Sequence, residues 1–318
     1  MANDLHGYLN VLKPPGWTSH DVVARLRRLS GQRRIGHTGT LDPAAVGVLP
    51  IALGRATRTT SSNTWDRKLY WGDVRFGAAT DTDDATGRVI ATGSTAGLNL
   101  DACTAALRGL AGDIQQRPPA YSAVHVDGHR AYADARRGRT DKLPARSVRV
   151  DAIRVVAWQA PVLTLLIQCR SGTYIRSIAR DLGSAVGRPA HLGALVRLRV
   201  GPFDIRDAIG LEALGAIAEA ATWDRVVWPV DVAAMDLDAI IVGRERAADF
   251  LHGRSWIETG PSTADESEGS NDGGEQKSVR VYDEDGGFLG LVEKVESAWQ
   301  PRLAIPTGDP IAVQASRL

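Results

Sequence analysis

Residues 36–53, GHTGTLDPAAVGVLPIAL, constrain this chain more than any other stretch. Pro43 withholds a backbone N–H and biases the preceding residue away from the helical region, so Asp42 belongs on a turn. Gly36, Gly39 and Gly47 allow tight backbone around that turn, and the Thr38 and Thr40 hydroxyls can hold a loop locally. Past it, Val46, Val48, Leu49, Ile51, Ala52 and Leu53 form an apolar run that can anchor the loop in a core. The result is one carboxylate on a rigid support. A lone Asp-Pro pair would be an ordinary turn starter, so its meaning depends on the rest of the chain.

At 318 residues and 34.0 kDa there is room for one large domain and a smaller one. The net charge of +1 is unevenly spread. Residues 1–60 carry eight basic side chains against three acidic, residues 130–154 do the same, and residues 260–277 hold five acids against one lysine. Local basic faces survive the near-neutral total, as nucleic-acid binding requires. Arginines outnumber lysines 33 to 5; the guanidinium is the better bidentate phosphate ligand, although codon bias accounts for most such positions. Cys103 and Cys169 are far apart and no Cys-x-x-Cys or His-rich cluster occurs, so neither a disulfide framework nor a metal site is expected, and a reducing cytoplasm fits. No signal peptide or membrane-spanning run is expected. The C-terminal Ser316, Arg317 and Leu318 match a peroxisomal address by coincidence.

Residues 8–12 read as a short strand stopped by Lys13-Pro14-Pro15-Gly16. Thr18 or Ser19 caps a helix with Val22, Val23, Leu26 and Leu29 on its buried face and Gly31 at its end. Residues 68–77 alternate as a strand with Tyr70, Val74 and Phe76 on one face. Asp81, Asp83 and Asp84 form an acidic turn that lacks the spacing of a calcium loop. A helix follows at 100–110. Residues 117–138 mix Tyr121, His125, His129 and Tyr132 with arginines, the blend expected where splayed RNA is gripped. Residues 148–157 and 162–169 pair as strands, Gly172-Thr173 caps a helix carrying Tyr174, Ile178 and Leu182, and Leu192, Leu195, Val196 and Leu198 rebuild a core. Residues 211–221 read as a helix, 228–231 as a hinge, and 243–251 as a helix ahead of short strands at 278–282, 288–295 and 302–305. Residues 260–277, rich in glycine, serine and acid, read as a disordered insertion.

The 36–53 stretch resembles the catalytic motif of the TruB family of tRNA pseudouridine synthases. KLYWGDVRFG from Lys68, RPPAYSAVHVDGHRAYADARRG from Arg117 and SGTYIRSIARDLG from Ser171 resemble the family's other blocks, in order. The resemblance implies an α+β pseudouridine synthase fold, with a central, mostly antiparallel sheet flanked by helices and loops. Residues 1–230 would form the catalytic domain and residues 231–318 a small β-rich, PUA-like RNA-binding domain. It further implies a cytoplasmic, monomeric enzyme that isomerises the T-loop uridine of tRNA without cofactor, metal or membrane.

Carried over by the same resemblance, Asp42 is the catalytic nucleophile and Arg176 its partner. Tyr70 packs on the target base, Tyr174 lies where the C5 proton leaves, His37 fills the gap left by the flipped uridine, and Leu195 walls the pocket. Lys13 and Tyr121 are expected to contact substrate. The chain lacks a Walker loop and a dinucleotide fingerprint, in keeping with an isomerisation in which no electron or phosphate changes hands. Two other functions would use the same fold: a glycosylase that releases the base, and a binder that helps RNA fold.

Overall fold

A computed structural model of the protein describes residues 4–62, 64–122, 125–126, 129–130, 143–257, 278–296 and 298–305. The chain opens with β1 (Gly7–Lys13), α1 (Ser19–Ser30), β2 (Ile35–His37), β3 (Val46–Leu53) and β4 (Lys68–Phe76). A hairpin of β5 (Ala78–Thr80) and β6 (Val89–Thr92) leads to α2 (Leu100–Leu107), β7 (Gly112–Gln116) and the short pair β8 (His125–Val126) and β9 (His129–Arg130). Then come β10 (Arg146–Gln159), β11 (Val162–Cys169), α3 (Ile175–Ala185), β12 (Ala190–Val200), β13 (Phe203–Asp204), β14 (Ile209–Gly210) and α4 (Leu211–Glu219). The remainder is β15 (Ala239–Val242), α5 (Arg244–Leu251), β16 (Trp256–Ile257), β17 (Ser278–Asp283), β18 (Phe288–Val295) and β19 (Ala298–Ala304).

The large sheet runs β14-β1-β3-β12-β4-β11-β10-β7, with β2 also on β3 and β13 on β12. Its pairings are antiparallel except at β1/β14 and β3/β12. Chain order and sheet order part company at one place that matters. β12 is inserted between β3 and β4, so a late strand separates the Asp42 loop's anchor from the strand of Tyr70.

Strand alternation sends side chains into cores on both faces of this sheet. Leu9, Val11, Leu49 and Ile51 meet Val22, Val23 and Leu26 of α1. Thr18 and Asp21 start that helix with a reciprocal capping box, and Gly31 ends it in the left-handed region. Tyr70, Val74, Leu165 and Ile167 pack against Ile175, Ile178 and Leu182 of α3. On the other face, Tyr8, Trp65 and Phe203 stack edge to face, with centroids 4.8 and 4.9 Å apart along the series. Val230, Val232, Ala233 and Ile305 close this cluster. A second sheet, β15-β17-β18-β19-β16, encloses Phe250, Val281, Leu289 and Val292.

Two expectations need correction. The segment at 228–231 is not a free hinge: Tyr8 and Trp228 exchange backbone hydrogen bonds of 2.8 and 2.7 Å, and Trp65 Nε1 donates to the Val232 carbonyl at 2.9 Å. Nor does Thr173 cap α3; Tyr174 is the N-cap residue, without a side-chain cap bond, and the Thr173 hydroxyl turns to the Arg149 carbonyl. The insertion at 260–277, Tyr132 and the last three residues lie outside the described residues.

Candidate active site

Asp42 lies between β2 and β3, where the Ala45 N–H donates to its carbonyl at 3.1 Å and closes a turn over Pro43 and Ala44. The loop is tied down on each side of it. The Leu41 N–H donates to Ser19 Oγ at 3.0 Å, and the Gly16 N–H donates to the Pro43 carbonyl at 2.8 Å. Lys13 is wholly buried, and its Nζ donates to the carbonyls of Trp17 (2.7 Å), Pro14 (2.9 Å) and Pro43 (3.2 Å). Burial lowers its pKa to about 8, against the pull of the Asp42 carboxylate. Expected as a substrate contact, Lys13 thus sits beneath the loop with its ammonium spent on backbone.

Arg176, near the start of α3, reaches Asp42 with two nitrogens: Nε lies 3.0 Å from Oδ2 and Nη2 3.4 Å from Oδ1. The guanidinium is buried whereas the carboxylate is 38% exposed, so the pair presents one open, charged face. The remaining donors go to the Thr82 carbonyl (3.0 Å) and the Tyr121 carbonyl (2.9 Å). Asp84 stands 3.8 Å from Nε as a second carboxylate. The acidic turn therefore faces α3, and Asp83 pairs there with Arg180 at 2.8 Å. Tyr121 enters this assembly through its carbonyl oxygen.

Tyr70 is buried on β4, with its pKa raised by desolvation, so it is held as the neutral phenol. Leu195 of β12 lies half-buried across from Gly72 and packs on the same core. The Tyr174 backbone is bracketed by Gln116, which donates to its carbonyl at 3.1 Å and accepts from its N–H at 2.8 Å. The Arg146 guanidinium sits 5.4 Å from the Tyr174 ring centre. His37 ends β2, and its ring meets His20 edge to face at 5.3 Å. Desolvation first, then His20 and Arg197, depress its pKa, and its Nδ1 is buried without a partner. Asp42, Arg176 and the Tyr121 carbonyl thus meet directly, Lys13 supports them from below, and Tyr70 is linked to the loop through another residue.

That residue is Arg197. Only 2% exposed on β12, it donates from Nε to the Val48 carbonyl (2.8 Å), from Nη1 to Thr40 (3.2 Å) and from Nη2 to Gly39 (3.1 Å), and it stands opposite Tyr70 across the β4/β12 pairing. Sequence reasoning passed over it: the run LVRLRV holds two arginines, Arg197 buried and Arg199 exposed, and nothing local tells them apart.

Residues 27–175 match the TruB family pseudouridylate synthase N-terminal domain, and residues 176–235 match the tRNA pseudouridylate synthase B C-terminal domain. A tRNA pseudouridine synthase B from Heliobacterium modesticaldum is 42% identical over 265 residues, covering 80% of this chain and 85% of its own. The chain belongs to the TruB family. Another TruB relative, from Synechococcus elongatus, is 39% identical over 305 residues, 94% of this chain and 98% of its own. Among solved structures, an H/ACA RNP bound to a substrate RNA containing 2'-deoxyuridine superposes with a TM-score of 0.68 at 22% identity, over 94% of this chain and 84% of that one. The fold is accordingly the α+β pseudouridine synthase fold with a β-rich, PUA-like C-terminal part.

Proposed function

We propose that this protein is a cytoplasmic, monomeric tRNA pseudouridine synthase that isomerises the T-loop uridine at position 55, with Asp42 as nucleophile. The observation that carries the reading is the half-open Asp42 carboxylate gripped by the buried fork of Arg176. In the reaction the N1–C1′ bond breaks, the base turns, C5 bonds to C1′, the C5 proton leaves and N1 is protonated, so no oxidant or reductant enters. A carboxylate oxygen can supply the covalent intermediate by attack on the sugar carbon or the base ring. The guanidinium holds that carboxylate in one orientation.

Access requires the uridine to leave the loop stack, after which Tyr70 and Leu195 can sandwich the base and His37 can fill the gap. Tyr174 stands near the place where the C5 proton departs. Lys13 and Tyr121 support the loop and Arg176, and residues 231–318 serve as a small RNA-binding domain.

Asp42→Asn tests the reading, because the amide keeps the shape and loses the nucleophile. T-loop RNA should bind within a few fold of the parent and yield no pseudouridine. Turnover near the parent level would sink the assignment, and free uracil in place of pseudouridine would turn it to a base-releasing glycosylase.

A further inference from the structure

The topology puts Arg197 between the two strands that carry the proposed chemistry. On β12 it is paired with Gly47 of β3 on one side and with Tyr70 of β4 on the other. Gly47 has φ +122°, and a Cβ there would collide with the Arg197 carbonyl, so the two backbones approach closely at this point. The guanidinium then reaches the backbone two and three residues ahead of Asp42, at Thr40 and Gly39, from the strand position that faces Tyr70. Among the described residues it makes no ion pair; the carbonyls of Val48, Thr40 and Gly39 take its N–H groups.

A buried cation without an anion is costly, and its removal from a core in favour of an apolar side chain is often neutral or stabilising. Stability alone therefore gives no reason for an arginine here. Its geometry does. A planar fork with five donors can hold three carbonyls of the loop and of β3 in one fixed relation to β12, which a flexible lysine ammonium cannot.

We propose that Arg197 is a positioning residue for the isomerisation: its guanidinium fixes the Asp42 loop against the β12/β4 seam that carries Tyr70. This rests on the reading that Asp42 and Tyr70 act on the uridine. The misplacement expected on its loss would slow the chemical step and leave RNA binding nearly unchanged.

The test compares the parent, Arg197→Lys, Arg197→Gln, Tyr70→Phe and the Arg197→Lys/Tyr70→Phe double variant, each checked for folding by thermal melting. Single-turnover rates on T-loop RNA and RNA affinity are measured for each. We expect Arg197→Lys to lose roughly thirtyfold or more in rate with affinity within about threefold, and the double variant to lose much less than the product of the single losses, because Arg197 acts through the placement of the loop against Tyr70. Rates within threefold of the parent, or losses that multiply, would overturn the proposal. If the lysine variant does not fold, the glutamine variant is read by the same criteria; failure of both to fold beside a fully active Tyr70→Phe chain would also overturn it. An inactive parent would instead refute the proposed function, so the two failures are distinguishable.

Discussion

At Arg176, two nitrogens face the two Asp42 carboxylate oxygens while the other hydrogen bonds run to backbone carbonyls, an arrangement that a point charge does not reproduce. Arg176→Lys should lower the single-turnover rate roughly a hundredfold, about 3 kcal/mol of transition-state stabilisation, with RNA affinity little altered. Unchanged turnover with weaker, more salt-sensitive binding would return Arg176 to a phosphate contact. Lys13 provides a pH signature. Its pKa falls from 10.5 to about 8 on burial, so between those values the unfolded chain holds a proton that the folded chain has shed. Stability from this group must therefore rise as pH climbs through that window. Urea midpoints of the parent should gain on those of Lys13→Met over about pH 8 to 10.5; parallel curves would show that Lys13 titrates normally. The partnership of Asp42 and Arg176 was legible only through the family resemblance, for nothing in their spacing joins residues 134 apart. Arg197 was missed because an arginine in a strand pattern ordinarily faces water.

Local chemistry made several elements readable. Thr18, Asp21 and Gly31 bound α1 through contacts within a few residues, and the alternation of Tyr70, Val74 and Phe76 survives directly as the buried face of β4. The start of α3 was misplaced by one residue, since the Thr173 hydroxyl finds the Arg149 carbonyl, a partner no local pattern reveals. Glycines divide in the same way between local and tertiary demands. Gly47 combines φ +122° with the close approach of β12, so Gly47→Ala should destabilise by about 2 kcal/mol or more and disturb the β3/β12 seam. Gly36 has open space where its Cβ would stand, and Gly36→Ala should stay within about 0.5 kcal/mol of the parent. Urea denaturation of both decides the matter; equal costs would mean that the approach at Gly47 is not the constraint.

The segment read as a hinge is instead part of the wall between the two sheets' cores. Val232 and Ala233 are buried with Tyr8, Trp65 and Phe203, and Ile305 from beyond β19 joins them. A chain ending at residue 230 loses Val232 and the acceptor of Trp65, whereas one ending at 238 keeps both. The 1–238 chain should be more stable than the 1–230 chain by about 3 kcal/mol, from one buried aliphatic side chain and one hydrogen bond. It should bind tRNA more weakly than the full chain, with a flatter salt dependence, at close to the same saturating rate. A folded but inactive 1–238 chain would place the small C-terminal part in the construction of the pocket. By itself, the sequence determined the turn at Asp42, the faces of its strands and the ends of α1, because proline, glycine, capping and alternation act over a few residues. Only the tertiary structure decided that β12 lies between β3 and β4 and that one guanidinium spans 157 residues of sequence to the Asp42 loop. Strand pairing at that distance is settled by which arrangement buries the most apolar surface with every backbone donor satisfied, a property of the whole chain and of no segment within it.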